Sequence, residues 1–273
     1  MSSILLMGPP GSGKTTMAIK TAPKRPVLAI DVDRKIRSLA WTRDMIAAGD
    51  LIVWEVAEPL IPEESLLTRA NRLAKNLKPD RQPQGWIKFA ELVQKLDTDP
   101  DARKCGTWLA PDSITQLAGH LKQLIMFCDD QGKSTFSDRN YGSFLQMWNE
   151  TVTIMRDSAI KSNVDLIMTV HERTLEIPTE NTKSTRTREG GVSRREYIGI
   201  LDLKIGASLE GQFGGILPSY FEEVYGLRVD IDGQRNPKWV CRVQPDGKRD
   251  LRTSYPVKQA EFEPDFRKIW GLV

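Results

Sequence analysis

The fold is decided by one stretch near the start of the chain, Ile4-Leu5-Leu6-Met7-Gly8-Pro9-Pro10-Gly11-Ser12-Gly13-Lys14-Thr15-Thr16. A short apolar run that stops at a glycine is typical of a strand buried on both faces. Residues 8–15 match the pattern GxxxxGK[ST] at every fixed position, and a helix is predicted from Lys14 to about Lys20. A strand, a glycine-rich loop and a helix in this order predict a P-loop that holds nucleotide phosphates.

Each residue type in this loop has a physical task. The glycines let backbone N–H groups point toward phosphate oxygens, and the start of the helix adds the positive end of its dipole. The Lys14 ammonium is expected to reach the β and γ phosphates, and the Thr15 hydroxyl to ligate Mg²⁺. We therefore predict ATP and Mg²⁺ as cofactors, held by Gly8, Pro9, Pro10, Gly11, Ser12, Gly13, Lys14, Thr15 and Thr16.

Composition limits the remaining possibilities. The chain has 273 residues, of which 40% are hydrophobic and 27% charged, and its net charge is only +3. Because the excess of basic residues is small, any contact with nucleic acid must come from a local patch. No apolar run approaches the roughly 20 residues of a membrane span, so no membrane partner is expected. Three widely separated cysteines and no signal-peptide pattern favour a cytoplasmic location.

Further strand and helix patterns follow the first strand. Apolar runs at residues 26–31, 51–54, 107–110 and 164–170 alternate with amphipathic helical patterns. This alternation predicts an α/β fold with a mainly parallel sheet. Near the end of the chain, Glu223–Ile231 and residues 239–243 flank a polar turn and predict an antiparallel hairpin.

Polar side chains end several predicted strands, where ligands of open α/β sheets bind. Asp112 follows the fourth strand and is the best candidate for a second residue at the metal, with Thr15 as the first. Pro111 directly before it is unusual in a strand. The alternative is that Asp112 caps the helix that starts at Ile114.

Two further strand ends carry candidates for catalysis. Asp33 could orient or deprotonate the attacking water, or it could cap a helix starting near Arg34. Asp31 is the weaker candidate of the two acids. His171 could sense the γ-phosphate and move the segment that follows it, or it could be a hydrogen-bonded structural histidine.

The segment after His171 differs in character. Residues 174–195 have little periodicity, and we interpret them as a long mobile loop. Its basic residues could contact the phosphates of single-stranded DNA with little sequence preference. The alternative is a solvated, disordered loop, since nearby glutamates reduce its charge. The DNA-binding candidates are Lys183, Arg186, Arg188, Arg194 and Arg195.

Four motifs, at residues 8–15, 28–33, 112–115 and 169–172, occur in the order found in the RecA-like P-loop ATPase core. The chain most resembles phage-encoded ATP-binding proteins of that group that act in single-strand annealing or recombination. The resemblance implies one RecA-like domain over residues 1–273. Its parts are a nucleotide-binding core (1–172), a mobile basic loop (173–196) and an antiparallel β-rich C-terminal part (197–273).

The resemblance also implies roles for single residues. Asp33 falls where the family has its catalytic Glu, Asp112 where it has the Walker B Asp, and His171 where it has the γ-phosphate sensor. Lys14 completes the catalytic set. Asp33 is one methylene shorter than Glu, which argues against fast hydrolysis.

The expected function is therefore slow or DNA-stimulated ATP hydrolysis by a protein that acts on single-stranded DNA in phage recombination or annealing. The implied partners are ATP, single-stranded DNA and further copies of the chain in a ring or filament, in the bacterial host cytoplasm. Lys248 or Arg249 could supply a basic group to a neighbouring subunit's site. The alternatives are a P-loop kinase and a nucleotide-gated scaffold with negligible turnover.

Overall fold

A computed structural model describes the backbone of residues 1–56, 82–128, 138–178, 183–189, 192–198, 201–209 and 213–272. Side chains are described over the same ranges except at 138–139, 174–204, 206 and 213. The α-helices are α1 Lys14–Lys20, α2 Thr42–Ala47, α3 Gly85–Lys95, α4 Pro100–Lys104, α5 Ile114–Cys128, α6 Asp138–Ser162, α7 Phe213–Ile216 and α8 Phe266–Ile269. Two 3₁₀ helices span Ile36–Ser38 and Leu217–Tyr220.

The strands are β1 Ser3–Gly8, β2 Val27–Asp31, β3 Leu51–Glu55, β4 Thr107–Asp112, β5 Asp165–Pro178, β6 Lys183–Glu189, β7 Val192–Ile198, β8 Leu201–Ala207, β9 Glu223–Ile231, β10 Pro237–Arg242 and β11 Glu261–Phe262. In the main sheet they lie in the order β11-β10-β9-β1-β5-β4-β2-β3. The strands from β9 to β3 in this order are mutually parallel. Their carboxyl ends therefore meet at one edge, where the candidate residues lie.

The alternation of side chains along β1 explains the three layers of the fold, because successive strand residues point to opposite faces. Leu5 and Met7 join a buried cluster with residues of α3, α5 and α6. Ile4 and Leu6 join a second cluster with residues of α1 and α8. All six residues of β1 are buried, so the sheet is covered by helices on both sides.

The antiparallel part of the sheet lies where the sequence predicted it. β9 runs parallel to β1 but pairs antiparallel with β10, and β10 pairs antiparallel with β11. The predicted α/β fold with a mainly parallel sheet and an antiparallel C-terminal extension is confirmed. Among the helices that the structure describes, none is long and apolar enough to cross a membrane.

Residues 174–195, for which the sequence predicts a long mobile loop, contain strands. β5 continues to Pro178, and its extension pairs antiparallel with β8. β6 and β7 form a separate two-stranded antiparallel sheet. The prediction of a loop is therefore wrong for the described backbone of this segment, which forms strands. The hairpin was missed because backbone pairing between polar strands leaves no apolar period in the sequence.

The five DNA-binding candidates lie on this hairpin by backbone position, and their side chains lie outside the described residues. Lys183, Arg186 and Arg188 belong to β6, whereas Arg194 and Arg195 belong to β7. Arg186 is paired across the strands with Arg195.

Candidate nucleotide-binding site

The P-loop follows β1 and leads into α1, as its sequence requires. Gly13 precedes the helix with φ of 89°, a left-handed conformation that side chains other than glycine rarely adopt. A Cβ atom on Gly8 would lie 2.3 Å from the carbonyl oxygen of Leu227 on β9. Glycine at these two positions is therefore required by backbone geometry and by close packing against the neighbouring strand.

Lys14 is buried inside the loop. Its Nζ donates to the carbonyl oxygens of Gly8 and Pro9, each at 2.8 Å. Burial lowers the pKa of Lys14 to about 8, although the charge of Asp112 acts in the opposite direction. Because carbonyl groups rather than a carboxylate hold the ammonium, its positive charge is available to an incoming phosphate.

Asp112 contacts the P-loop across 97 residues of sequence. Its Oδ2 accepts a hydrogen bond from Thr15 Oγ1 at 2.8 Å, and its Oδ1 accepts one from Thr169 Oγ1 at 2.5 Å. The carboxylate is almost completely buried, with 1% of the residue exposed. Ser113, and not Asp112, caps the first turn of α5: its Oγ accepts a hydrogen bond from the Gln116 amide at 3.5 Å. This arrangement opposes the alternative that Asp112 is a helix cap.

The pair formed by Thr15 and Asp112 fits the ligand preference of Mg²⁺. A hydroxyl oxygen and a carboxylate oxygen lie side by side, next to the loop that would place phosphate oxygens there. Mg²⁺ in such sites uses one or two protein oxygens together with substrate phosphates and water. No group of three or more His, Cys, Asp or Glu side chains that could hold a metal ion occurs among the described residues.

Thr169 is a member of the site that sequence reasoning missed. It is fully buried on β5, within a run of apolar residues, and its hydroxyl donates to Asp112. The signal was present in the sequence, since a polar residue inside the apolar run 164–170 requires a buried partner. The partner itself could not be read from the sequence, because it depends on how β4 and β5 lie side by side.

The two acids at the end of β2 and just after it, Asp31 and Asp33, have different tasks. Asp31 Oδ2 accepts from the Ile36 amide at 2.7 Å and so shapes the turn after the strand. Burial raises the pKa of Asp31. The helix expected near Arg34 is a 3₁₀ helix that begins at Ile36, and Arg34 itself has a left-handed φ of 58°. Asp31, and not Asp33, accepts from the start of that helix.

Asp33 faces the phosphate site together with a lysine that the sequence reasoning overlooked. Its Oδ2 lies 2.5 Å from Lys35 Nζ, which is also 4.0 Å from Asp112 Oδ2. Burial lowers the pKa of Lys35, but the charges of Asp112 and Asp33 outweigh it and the net shift is upward. The other oxygen, Asp33 Oδ1, is buried and accepts no hydrogen bond within the part of the chain that the structure describes.

His171 lies at the same edge of the sheet, in register with Gly8 on the neighbouring strand β1. Its amide donates to Thr115 Oγ1 at 2.9 Å, which ties β5 to the start of α5. Burial, and then the charges of Lys14 and Lys35, lower the pKa of His171. The imidazole is therefore neutral at neutral pH and can donate one hydrogen bond to a phosphate oxygen.

The basic turn near the end of the chain, which contains Lys248 and Arg249, is linked to β5 by an ion pair between Arg249 and Glu172. Arg249 donates to Glu172 Oε1 at 3.0 Å and to Asp246 Oδ2 at 2.7 Å, and its side chain is 16% exposed. These ion pairs within the chain oppose the expectation that Arg249 serves a neighbouring subunit. The role expected for Lys248 stays a prediction.

Comparisons with known proteins place most of the chain in one family. The family model described as an AAA domain matches residues 2–214. A KaiC-like protein from the hyperthermophilic archaeon Pyrococcus horikoshii OT3 is 14% identical with a TM-score of 0.45, over 93% of this chain and 82% of that one. The RadB recombinase is 13% identical with a TM-score of 0.44, over 88% and 79% of the two chains. No curated protein sequence matches the chain.

Proposed function

The chain belongs to the AAA domain family, and we propose that it is a RecA-like ATPase that binds Mg²⁺·ATP and acts on single-stranded DNA in recombination or strand annealing. One observation carries the nucleotide half of this proposal. The hydrogen bond between Thr15 and Asp112 joins the P-loop to the fourth strand at the edge where Lys14, Asp33 and His171 also lie.

Each side chain of the site has a task that its geometry supports. Lys14 would neutralise the β and γ phosphates, while Thr15 and Asp112 would hold Mg²⁺, directly and through water. The metal, when bound, supplies positive charge to the phosphoryl oxygens. His171, as a neutral donor, would hydrogen-bond a γ-phosphate oxygen without adding charge.

Asp33 would orient and deprotonate the attacking water. Its buried Oδ1 has no protein partner among the described residues and can accept a hydrogen bond from that water. Its other oxygen is engaged by Lys35, and the side chain is shorter than a glutamate. Both features favour slow hydrolysis. They also keep open a second candidate function, a nucleotide-gated scaffold with negligible turnover.

The DNA half of the proposal rests on the hairpin formed by β6 and β7. Five basic residues lie within these two strands, and a single strand can bind along such a ribbon through its phosphates. β5 is continuous from His171 to Pro178, and β6 is the next strand along the chain. A change at His171 on ATP binding would therefore act on the strand that precedes the DNA contact.

Fluorescence anisotropy with labelled oligonucleotides tests the DNA half. If roughly three to five phosphates are engaged, log affinity should fall with log salt at a slope of about −2 to −3.5. Replacement of Arg186, Arg188, Arg194 and Arg195 by Ala should flatten this slope and weaken all sequences equally. The matched control, with the same change in charge, replaces four exposed basic residues elsewhere, Lys95, Arg103, Lys104 and Lys161.

The two variants discriminate clearly. An unaltered slope in the four-arginine variant would place the DNA site elsewhere, and an equal loss in the control would indicate an effect of net charge alone.

His171→Ala tests the coupling between ATP and DNA. It should leave DNA binding in the absence of ATP unchanged and remove the change in DNA affinity that ATP causes. Stimulation of ATP hydrolysis by single-stranded DNA would separate this function from a kinase and from a scaffold.

A further inference from the structure

An exposed indole lies against the phosphate loop. Trp239 belongs to β10, and 45% of it is exposed, which is unusual for a residue of its size. Its Nε1 donates to the carbonyl oxygen of Gly11 at 3.4 Å. Its Cδ1 lies 3.2 Å from the position that a Cβ on Gly13 would take. One edge of the ring thus rests on the P-loop backbone, and nearly half of the residue remains open to solvent.

Trp239 is part of an apolar strip on the β9–β10 hairpin. It is paired with Val229, and the next pair along is Ile231 with Pro237, so all four residues point to the same face of the sheet. Val229 is 40% exposed and Ile231 75% exposed. Toward the sheet centre, the same face carries the pair Leu227 and Cys241, which is buried against α1. The strip therefore leaves the core beside the P-loop and ends in solvent.

We propose that Trp239 stacks on the base of the bound nucleotide and that Val229 extends this platform. The inference rests on the proposed binding of ATP, and it names the subsite for the base. A phosphate group held in the loop brings its ribose and base to a nearby surface, and the indole is an aromatic surface in contact with that loop. A contiguous patch of exposed apolar side chains on a protein surface often indicates a binding site.

Stacking on Trp239 should favour ligands that carry a base without distinguishing one base from another. An aromatic ring packs on the π face that every base has, so the contact adds affinity without reading the base edge. ATP and GTP should therefore gain comparably from Trp239. Inorganic triphosphate, which has no base, should gain nothing.

The test compares ligands with and without a base by calorimetric titration in Mg²⁺. Trp239→Ala should weaken ATP and GTP about 10-fold to 100-fold, the range expected for losing one stacked base. Its affinity for inorganic triphosphate should stay within about twofold, and Trp239→Phe should keep most of the ATP affinity because it keeps an aromatic face. Circular dichroism melting shows whether each variant is folded.

Other results would overturn the inference. An equal loss for ATP and triphosphate would mean that the indole only shapes the P-loop. Unchanged ATP affinity would exclude the platform, and loss of self-association in the same variant would assign the strip to a contact with a second copy of the chain. If the wild type binds triphosphate as tightly as ATP, the base subsite fails while the phosphate cradle stands. If it binds neither ligand, the proposed function fails as well.

Discussion

The two carboxylates that face the phosphate loop differ in how they are held. Asp112 is almost fully buried, and both of its oxygens accept hydrogen bonds from threonine hydroxyls on other elements. Asp33 lies in a turn, where one oxygen is paired with the half-exposed Lys35 and the other has no partner among the described residues. The metal side of the site, formed by Thr15 and Asp112, is thus preorganised. On the water side, Lys35 occupies one oxygen of Asp33, and only Oδ1 is left for the attacking water.

This contrast separates binding from turnover. Preorganised donors and charges stabilise a ligand without further rearrangement, so the P-loop and Asp112 should give firm Mg²⁺·ATP binding. Asp33 is a short side chain with only Oδ1 available to the attacking water, so water activation is less well prepared than metal binding. We therefore expect an enzyme whose ATP affinity is ordinary for a P-loop protein and whose hydrolysis is slow.

The largest effect is expected from removing the charge in the cradle. Lys14→Ala should weaken ATP by about 100-fold or more, because the ammonium makes charge-assisted hydrogen bonds of about 1.5–3 kcal/mol each. Calorimetric titration measures this loss. Lys20→Ala, an exposed lysine at the other end of α1, is the control and should bind ATP as the wild type does. Unchanged affinity in a folded Lys14→Ala protein would remove the P-loop from the binding site.

The next effect tests the metal side. Asp112→Asn keeps the size of the side chain and should lower Mg²⁺-dependent hydrolysis by about 100-fold, as expected when one electrostatic contact to the transition state is lost. Rates measured against Mg²⁺ concentration check this. The Asn amide oxygen can accept from one threonine hydroxyl, and its NH₂ can donate to the oxygen of the other, so the melting temperature should change little. Hydrolysis at the wild-type rate would show that Asp112 only links β4 to its neighbours.

A smaller effect, in two directions, tests the water side. Asp33→Asn should lower hydrolysis about tenfold, less than the full contribution of a well-placed general base, because Asp33 is short and already paired. Asp33→Glu should raise it, since the longer side chain reaches further toward the γ-phosphate. ATP affinity should stay unchanged in both. Steady-state rates at saturating ATP would contradict this picture if both variants matched the wild type.

Features of the fold and of the site could be predicted from the sequence where their signal lies in neighbouring residues, and not where it depends on contacts between distant residues. The signals for the P-loop, β1 and α1 are local in the sequence, because the glycines of the loop and the short apolar run of the strand are neighbouring residues. Asp112 was found from its strand end, but its partner Thr169 depends on strand neighbours 57 residues apart. Lys35 was missed because its contact with Asp33 requires the turn that Asp31 and Arg34 shape. The hairpin of β6 and β7 was missed because polar strands carry no apolar period.

The last predicted effect, similar in size to that of Asp33→Asn, concerns pH and the burial of Lys14. Burial lowers the pKa of Lys14 to about 8 in the free protein, and bound phosphates favour the charged form and must raise it. Below pH 8 the ammonium is already charged, so ATP affinity should not depend on its titration. Above pH 8 binding must take up a proton, and affinity should fall by about tenfold between pH 7 and pH 9.

Neighbouring groups do not titrate in this window. The pKa of His171 is lowered, so its imidazole stays neutral, and the pKa of Lys35 is raised, so its ammonium stays charged. The terminal phosphate ionises near pH 6, below the range that matters. ATP titrations at pH 7, 8 and 9 measure the effect. Lys14→Arg is the control, because a guanidinium stays charged throughout and its ATP affinity should be flat. A flat wild-type profile would mean that Lys14 keeps its proton despite its burial.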